Sequence, residues 1–277
     1  MLTIVDSPST FAPVSSEAPT LGLLTGPAIE ASAGEGTGAH VSSLRIAGGG
    51  YRAALFHLGA LTRLNDLGLL SEIDTVGATG GGSILAALLA ARVPWPLHGA
   101  FPEWPEAVAA PMREIAGSGP IAGRATDSTA EERYARELAA AMGASLPERP
   151  RFVFGAAGLA LGEMSVQREP GMADVVNWHI GDSVAWPGYD AALVEDVIAV
   201  VRTGLDSFDG GERAVLENHG YLVADAALRR RGLASADAEL PTPPFPSWMD
   251  EGRVRMALAA SSRRSRLGRL HRRLGSP

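Results

Sequence analysis

Two runs of glycine could do chemistry: Gly48-Gly49-Gly50-Tyr51-Arg52-Ala53 and Ala78-Thr79-Gly80-Gly81-Gly82-Ser83. Backbone N–H groups at a helix start, unhindered by side chains, form an anion site. For the first run three uses stay open. Gly48, Gly50 and Ala53 fit the G-x-G-x-x-G/A pattern of a pyrophosphate turn, although no ribose-binding acid follows at the right strand end. The same amides could hold the developing negative charge of an acyl transfer. The third use is a tight strand-to-helix turn with no chemistry. The second run has the small neighbours of a nucleophile elbow, a strained turn that exposes a central serine. That serine is absent. Thr79 centres the frame Gly77-Ala78-Thr79-Gly80-Gly81, but one residue before the elbow. Ser83 falls three residues on and is expected as a hydrogen bonder in the first turn of a helix.

The flanking residues say what positions these turns. Ser42 to Ala47 is a short apolar run that stops at Gly48, which predicts a strand entering a glycine turn. Ala53, Ala54, Phe56, His57, Leu58, Ala60, Leu61 and Leu64 keep helical spacing up to Gly68, a helix of about four turns. Ile73 to Ala78 predicts a second strand, and Ser83 to Ala91 a second helix. Two strand–turn–helix units in succession imply a parallel sheet with crossover helices, an α/β fold. Further along, 103–116, 129–143, 190–201 and 212–231 are expected as helices and Arg151 to Ala156 as a third strand. Residues 1–41 read as a poorly ordered leader, 42–235 as the α/β domain, 236–251 as a Pro-rich linker and 252–277 as an Arg-rich tail.

From Leu44 to Ala91 the chain resembles the patatin-like phospholipase family. The likeness rests on the strand before Gly-Gly-Gly-Tyr-Arg-Ala, on Phe-His-Leu-Gly, on Leu-Asn-Asp-Leu-Gly-Leu-Leu, on the Ile-Asp strand and on Gly-Gly-Ser-Ile-Leu-Ala. The resemblance implies a three-layer fold with a mostly parallel sheet and helices on both faces. It also implies a lipid acyl hydrolase with a Ser–Asp dyad and no histidine. Its oxyanion hole would be Gly48, Gly49, Gly50 and Arg52. Its serine would fall at position 80, where this chain has Gly80, so the chain is expected to be inactive or nearly so. The dyad Asp of the family stands in an Asp-Gly-Gly turn, and Asp209-Gly210-Gly211 is the run of that type. Its flanks favour a loop opening a helix. The stretch from Gly162 to Trp186 looks too short for the family's central strands, with Trp178-His179-Ile180 as a remnant strand and part of the middle missing. His179 and His219 are expected to serve packing or surface roles, with His219 in the family's Asn-His-Gly-Tyr helix. A lipid- or acyl-binding module that lost its chemistry is the competing class, and a nucleotide-binding protein using Gly48 to Gly50 is the third.

Composition narrows the classes. With 277 residues and 46 % hydrophobic residues the chain can bury a large core. It has no cysteine, and all 24 basic residues are arginine. Thiol nucleophiles, Cys-ligated metals, Schiff bases and a P-loop lysine are thereby excluded. No His/Asp/Glu cluster has ligand spacing, so neither a metal nor a cofactor is expected. The net charge is −7, but all 31 acidic residues precede Gly252 while eight arginines follow it. An acidic body argues against nucleic acid as the partner, and the basic end could lie on an anionic bilayer. The start lacks a basic n-region and a long apolar core, and no window has the length of a membrane span. A cytoplasmic setting, open to peripheral contact with a membrane, is expected.

Overall fold

A computed structural model describes residues 41–93, 95, 98–117, 150–155, 163–168, 175–185, 187–204, 207–235, 240–259 and 261. The expected leader up to residue 40, the helix expected at 129–143 and the tail from 262 onward lie outside the described residues.

The two strand–turn–helix units form as the spacing predicts. They are β1 (Val41–Ile46) with α1 (Gly50–Asp66), and β2 (Thr75–Thr79) with α2 (Gly82–Arg92). Val41, counted with the leader, opens β1. Then come a π turn (Pro105–Ala109) running into α3 (Ala110–Gly117), and β3 (Arg151–Gly155). After them follow β4 (Glu163–Arg168), β5 (Val175–His179) and α4 (Ala191–Leu193) with a π turn (Val194–Ile198). The chain closes with α5 (Gly210–Arg230) and a helix α6 at 251–259.

The sheet has the order β3-β2-β1-β4-β5. Strands β1, β2 and β3 are mutually parallel, β4 opposes β1, and β5 opposes β4, so four strands run one way. The fold is therefore mixed α/β. The stretch 162–186, where a remnant strand at 178–180 is expected, holds two strands, the second ending at His179. Strand β4 was missed because Glu163-Met164-Ser165-Val166-Gln167 alternates polar and apolar residues over one short run, a weak signal by itself. It becomes a strand by pairing on both sides. The helix expected at 190–201 is instead one short α segment and a π turn.

In β1, β2 and β5 burial alternates with period two. Leu44, Ile46, Val76, Ala78, Val176 and Trp178 are buried, whereas Asn177 and His179 are exposed. Helices α1 and α5 are buried nearly all round. Such burial needs cover on the side away from the sheet, and α3 with the segment 241–258 supplies it. A methyl group on Gly59 would overlap the carbonyl oxygen of Glu217, and one on Gly220 that of Phe56. Helices α1 and α5 thus cross backbone against backbone.

A helix buried all round must neutralise its polar residues. Glu217 pairs with Arg113 at 2.8 Å, Glu212 with Arg202 at 2.9 Å, and Asp225 with Arg63 at 2.6 Å. Burial raises the Glu217 pKa even so, against the pull of Arg113. Asn218 brackets Phe245 with two reciprocal hydrogen bonds of 2.7 and 2.8 Å to its backbone, and Asn65 does the same for Phe101. Tyr189 donates to the Trp248 carbonyl, and Arg253 stacks over the Trp248 ring. With Val254 and Leu258 buried as well, residues 241–258 are packed on the domain. The stretch expected as linker and start of the tail is, in its described part, an element of the core.

Candidate functional site: two glycine turns in contact

The parallel register dictates the site. Ile46 stands beside Ala78, so two residues further along each strand Gly48 meets Gly80. A methyl carbon on Gly80 would lie 3.1 Å from the Gly48 Cα, and one on Gly48 3.3 Å from the Gly80 Cα. The contact continues beyond this pair. A Cβ on Gly81 would overlap the Gly50 carbonyl, and one on Gly82 would stand 2.8 Å from the Ala47 carbonyl oxygen. Gly49, Gly50 and Gly80 have φ of 142°, 62° and 50°, a backbone region that favours glycine. Gly80 thus occupies a sharp strand-to-helix turn with a left-handed centre, as an elbow requires.

Both helices that leave the turns start uncapped. Gly49 and Gly81 are their N-cap residues, neither makes a side-chain cap, and no acidic residue lies in either first turn. The amides of Gly49 and Gly50 have no acceptor among the described residues. Such amides, with the partial positive charge of the helix start, can receive an anion or a polarised carbonyl oxygen.

The other expected site residues divide. Arg52 turns to the segment after the π turn, donating from Nη1 to the Ala199 and Val201 carbonyls at 2.8 and 2.9 Å. Burial lowers its pKa. The same segment lies across the start of α1. Tyr51 N–H donates to the Gly204 carbonyl, and the Thr203 carbonyl fills the space a Gly50 side chain would need. Within the expected oxyanion hole, Arg52 therefore holds segment 199–201 through Nη1, and its buried Nε has no acceptor among the described residues.

Asp209 is the N-cap of α5. Its Oδ1 accepts from Gly211 N–H and Glu212 N–H at 2.9 Å each, and Glu212 accepts from Asp209 N–H at 2.7 Å. This is the loop opening a helix that its flanks favour. Phe208 before it packs edge-on against Tyr51, so the run lies near the first turn even though its carboxylate serves α5.

Thr79 ends β2 and is half-buried. Ser83 bonds through its backbone, N–H to the Gly80 carbonyl at 3.0 Å, while its buried hydroxyl has no partner among the described residues. The hydroxyl contact expected in the first helical turn is not made. His179 is a surface residue paired with Asp182 at 3.0 Å, and His219 is a core residue whose Nε2–H donates to the Ile180 carbonyl at 2.8 Å.

Sequence reasoning missed His57. Fully buried on α1, it reaches the Ala47 carbonyl from Nε2 at 3.0 Å. Burial lowers its pKa to about 4, opposed by that hydrogen bond. The residues carried no signal for this contact, because His57 sits in an apolar helical stripe and its partner is a backbone atom.

A cavity of about 210 Å³ lies towards the other end of α1, lined by Thr62, Asp66, Trp104, Arg113, Tyr221 and Thr242. Thr62 is about 18 Å along the helix from Gly50. Several polar groups of this cavity satisfy one another, Trp104 bonding to Thr62 and Tyr221 to Asp66. At the glycine turns, by contrast, the Gly49 and Gly50 amides have no acceptor among the described residues. Comparison with known protein families, with curated proteins and with solved structures finds no match to this chain.

Proposed function

We propose that the chain is a lipid acyl hydrolase scaffold of the patatin-like type in which position 80 carries no nucleophile, so that it receives acyl esters at the glycine turns and does not hydrolyse them. The observation that carries this reading is the contact of Gly48 with Gly80 at the start of two uncapped helices. An oxyanion turn and an elbow must face one carbonyl, and these two turns touch. A serine at position 80 would give its proton to a base and add to that carbonyl, and the Gly49 and Gly50 amides would hold the oxyanion. The ester C–O bond would break with the proton passing to the departing alcohol, and water would then release the acyl group as the acid. Glycine has no hydroxyl to attack with.

The decisive experiment is hydrolysis of p-nitrophenyl esters by this chain beside Gly80→Ser. The unaltered chain is expected to run no faster than an inert protein. Turnover that disappears on Thr79→Ala would overturn the reading and move the nucleophile one residue back.

A non-catalytic acyl-binding module is the second reading, favoured by the engagement of Asp209 in the cap of α5. On that reading Gly80→Ser alone restores little rate, because no base within about 3 Å of the hydroxyl accepts its proton. Full esterase activity in Gly80→Ser, removed by Asp209→Asn, would exclude it.

A cytoplasmic protein with peripheral contact to anionic membranes completes the proposal. Among the described residues no helix is long and apolar enough to cross a membrane. Arg253, Arg255 and Met256 are exposed on α6, at the head of the arginine-rich end. Deleting 262–277 should abolish salt-sensitive pelleting with acidic liposomes.

A further inference from the structure

The peptide between β1 and the first glycine turn is held from two sides. The Ala47 carbonyl oxygen receives His57 Nε2 from α1, and the backbone of Gly82 at the start of α2 closes on it. A carbonyl only accepts, so Nε2 carries the proton and Nδ1 does not; Nδ1 is buried with no partner among the described residues. The three residues after Ala47 are glycines, two of them at positive φ. Glycine loses more conformational freedom on folding than any other residue, and such a run has no side chain to anchor it. Its geometry must therefore be set from outside.

We infer that His57 is the positioning residue of the first glycine turn: its hydrogen bond to the Ala47 carbonyl fixes the peptide from which Gly48 and Gly49 are laid against Gly80 and Gly82. The functional meaning of that position rests on the reading of Gly48 to Gly50 as an oxyanion turn; the placement itself does not.

The molecule contains its own control. His219 on α5 is as buried as His57, donates from Nε2 to a carbonyl in the same way, and has a bare, unpartnered Nδ1. The two rings flank Phe56 at 5.6 and 5.5 Å between centroids. The carbonyl held by His219 belongs to Ile180, just past β5. Loss of a buried histidine is common to both sites, and control of the glycine turn belongs to one.

The test is NMR of the full chain with His57→Leu, His57→Gln and His219→Leu. Both His57 variants remove the ring and its ring-current shift, but only Gln keeps an N–H donor at comparable reach. His57 in the unaltered chain is expected as the Nε2–H tautomer. In His57→Leu the amides of Gly48 to Gly50 and Gly80 to Gly82 should broaden with microsecond-to-millisecond exchange. His57→Gln should retain sharp signals there, and His219→Leu should leave them unbroadened. An Nδ1–H tautomer, or equal broadening of the turns in the Leu and Gln variants or in His219→Leu, would overturn the inference. If His57→Leu does not fold, the tautomer and the Gln variant decide. None of these readouts uses ester hydrolysis, so turnover by the unaltered chain that disappears on Thr79→Ala would sink the functional reading and leave His57 standing.

Discussion

Glycine meets backbone at two places in this molecule, and the two differ in what surrounds them. At the crossing of α1 and α5, Gly59 and Gly220 lie in regular helix, and the neighbouring polar groups Asn218, Glu217 and Tyr221 are hydrogen-bonded. At the turns, Gly49, Gly50 and Gly80 have positive φ, and the Gly49 and Gly50 amides have no acceptor among the described residues. Close approach alone therefore does not mark a site. Small residues at a crossing among hydrogen-bonded polar groups serve packing, whereas small residues with positive φ beside unpaired amides offer donors to a ligand.

Substitution at the crossing should have the largest effect. Gly59→Ala or Gly220→Ala forces a methyl group into a carbonyl oxygen of the facing helix and should cost above about 3 kcal/mol each, read as a lowered urea midpoint. A loss under about 1 kcal/mol would mean that the helices can part, and the contrast with the turns would fail.

Acid should weaken both regions, His57 at the turn and His219 beside the crossing. Burial lowers each pKa from 6.5 to about 4. The unfolded chain then binds a proton at a higher pH than the folded one, so the contribution is complete above about pH 6.5 and is lost as pH falls towards 4. It amounts to roughly 3 kcal/mol per histidine. Urea midpoints measured between pH 7 and 4 should show this slope, shallower in His219→Leu. A flat profile across that window would exclude neutral buried rings.

At the elbow the expected cost is smaller. Gly80→Ala or Gly80→Ser places a side chain at φ of 50° with its Cβ 3.1 Å from Gly48, about 1–2 kcal/mol of destabilisation. A cost equal to that at Gly59 would make the turn as rigid as the crossing and erase the distinction. Asp209→Ala gives the smallest effect, about 1 kcal/mol from loss of the α5 cap, with Asp209→Asn close to neutral because Asn also caps. Equal losses for Ala and Asn would point to a role for the charge itself.

Much of the scaffold is legible in the residues. The apolar runs ending at Gly48 and Gly80, and the helical spacing after them, locate β1, β2, α1 and α2, since these signals are local and strong. Asp209 followed three residues on by Glu212 is a capping-box signature, and α5 opens there. Where recognition depended on distant partners, the residues were silent. Strand β4 takes its conformation from β1 and β5, and Arg52 finds its acceptors nearly 150 positions away. The glycine clusters and the lack of a side chain at position 80 were determined by the sequence alone, because they are matters of side-chain chemistry. That Gly48 touches Gly80, that Arg52 turns away, and that His57 grips the Ala47 carbonyl were decided only by the tertiary structure. Each depends on the register of parallel strands and the docking of α1, which no local pattern encodes.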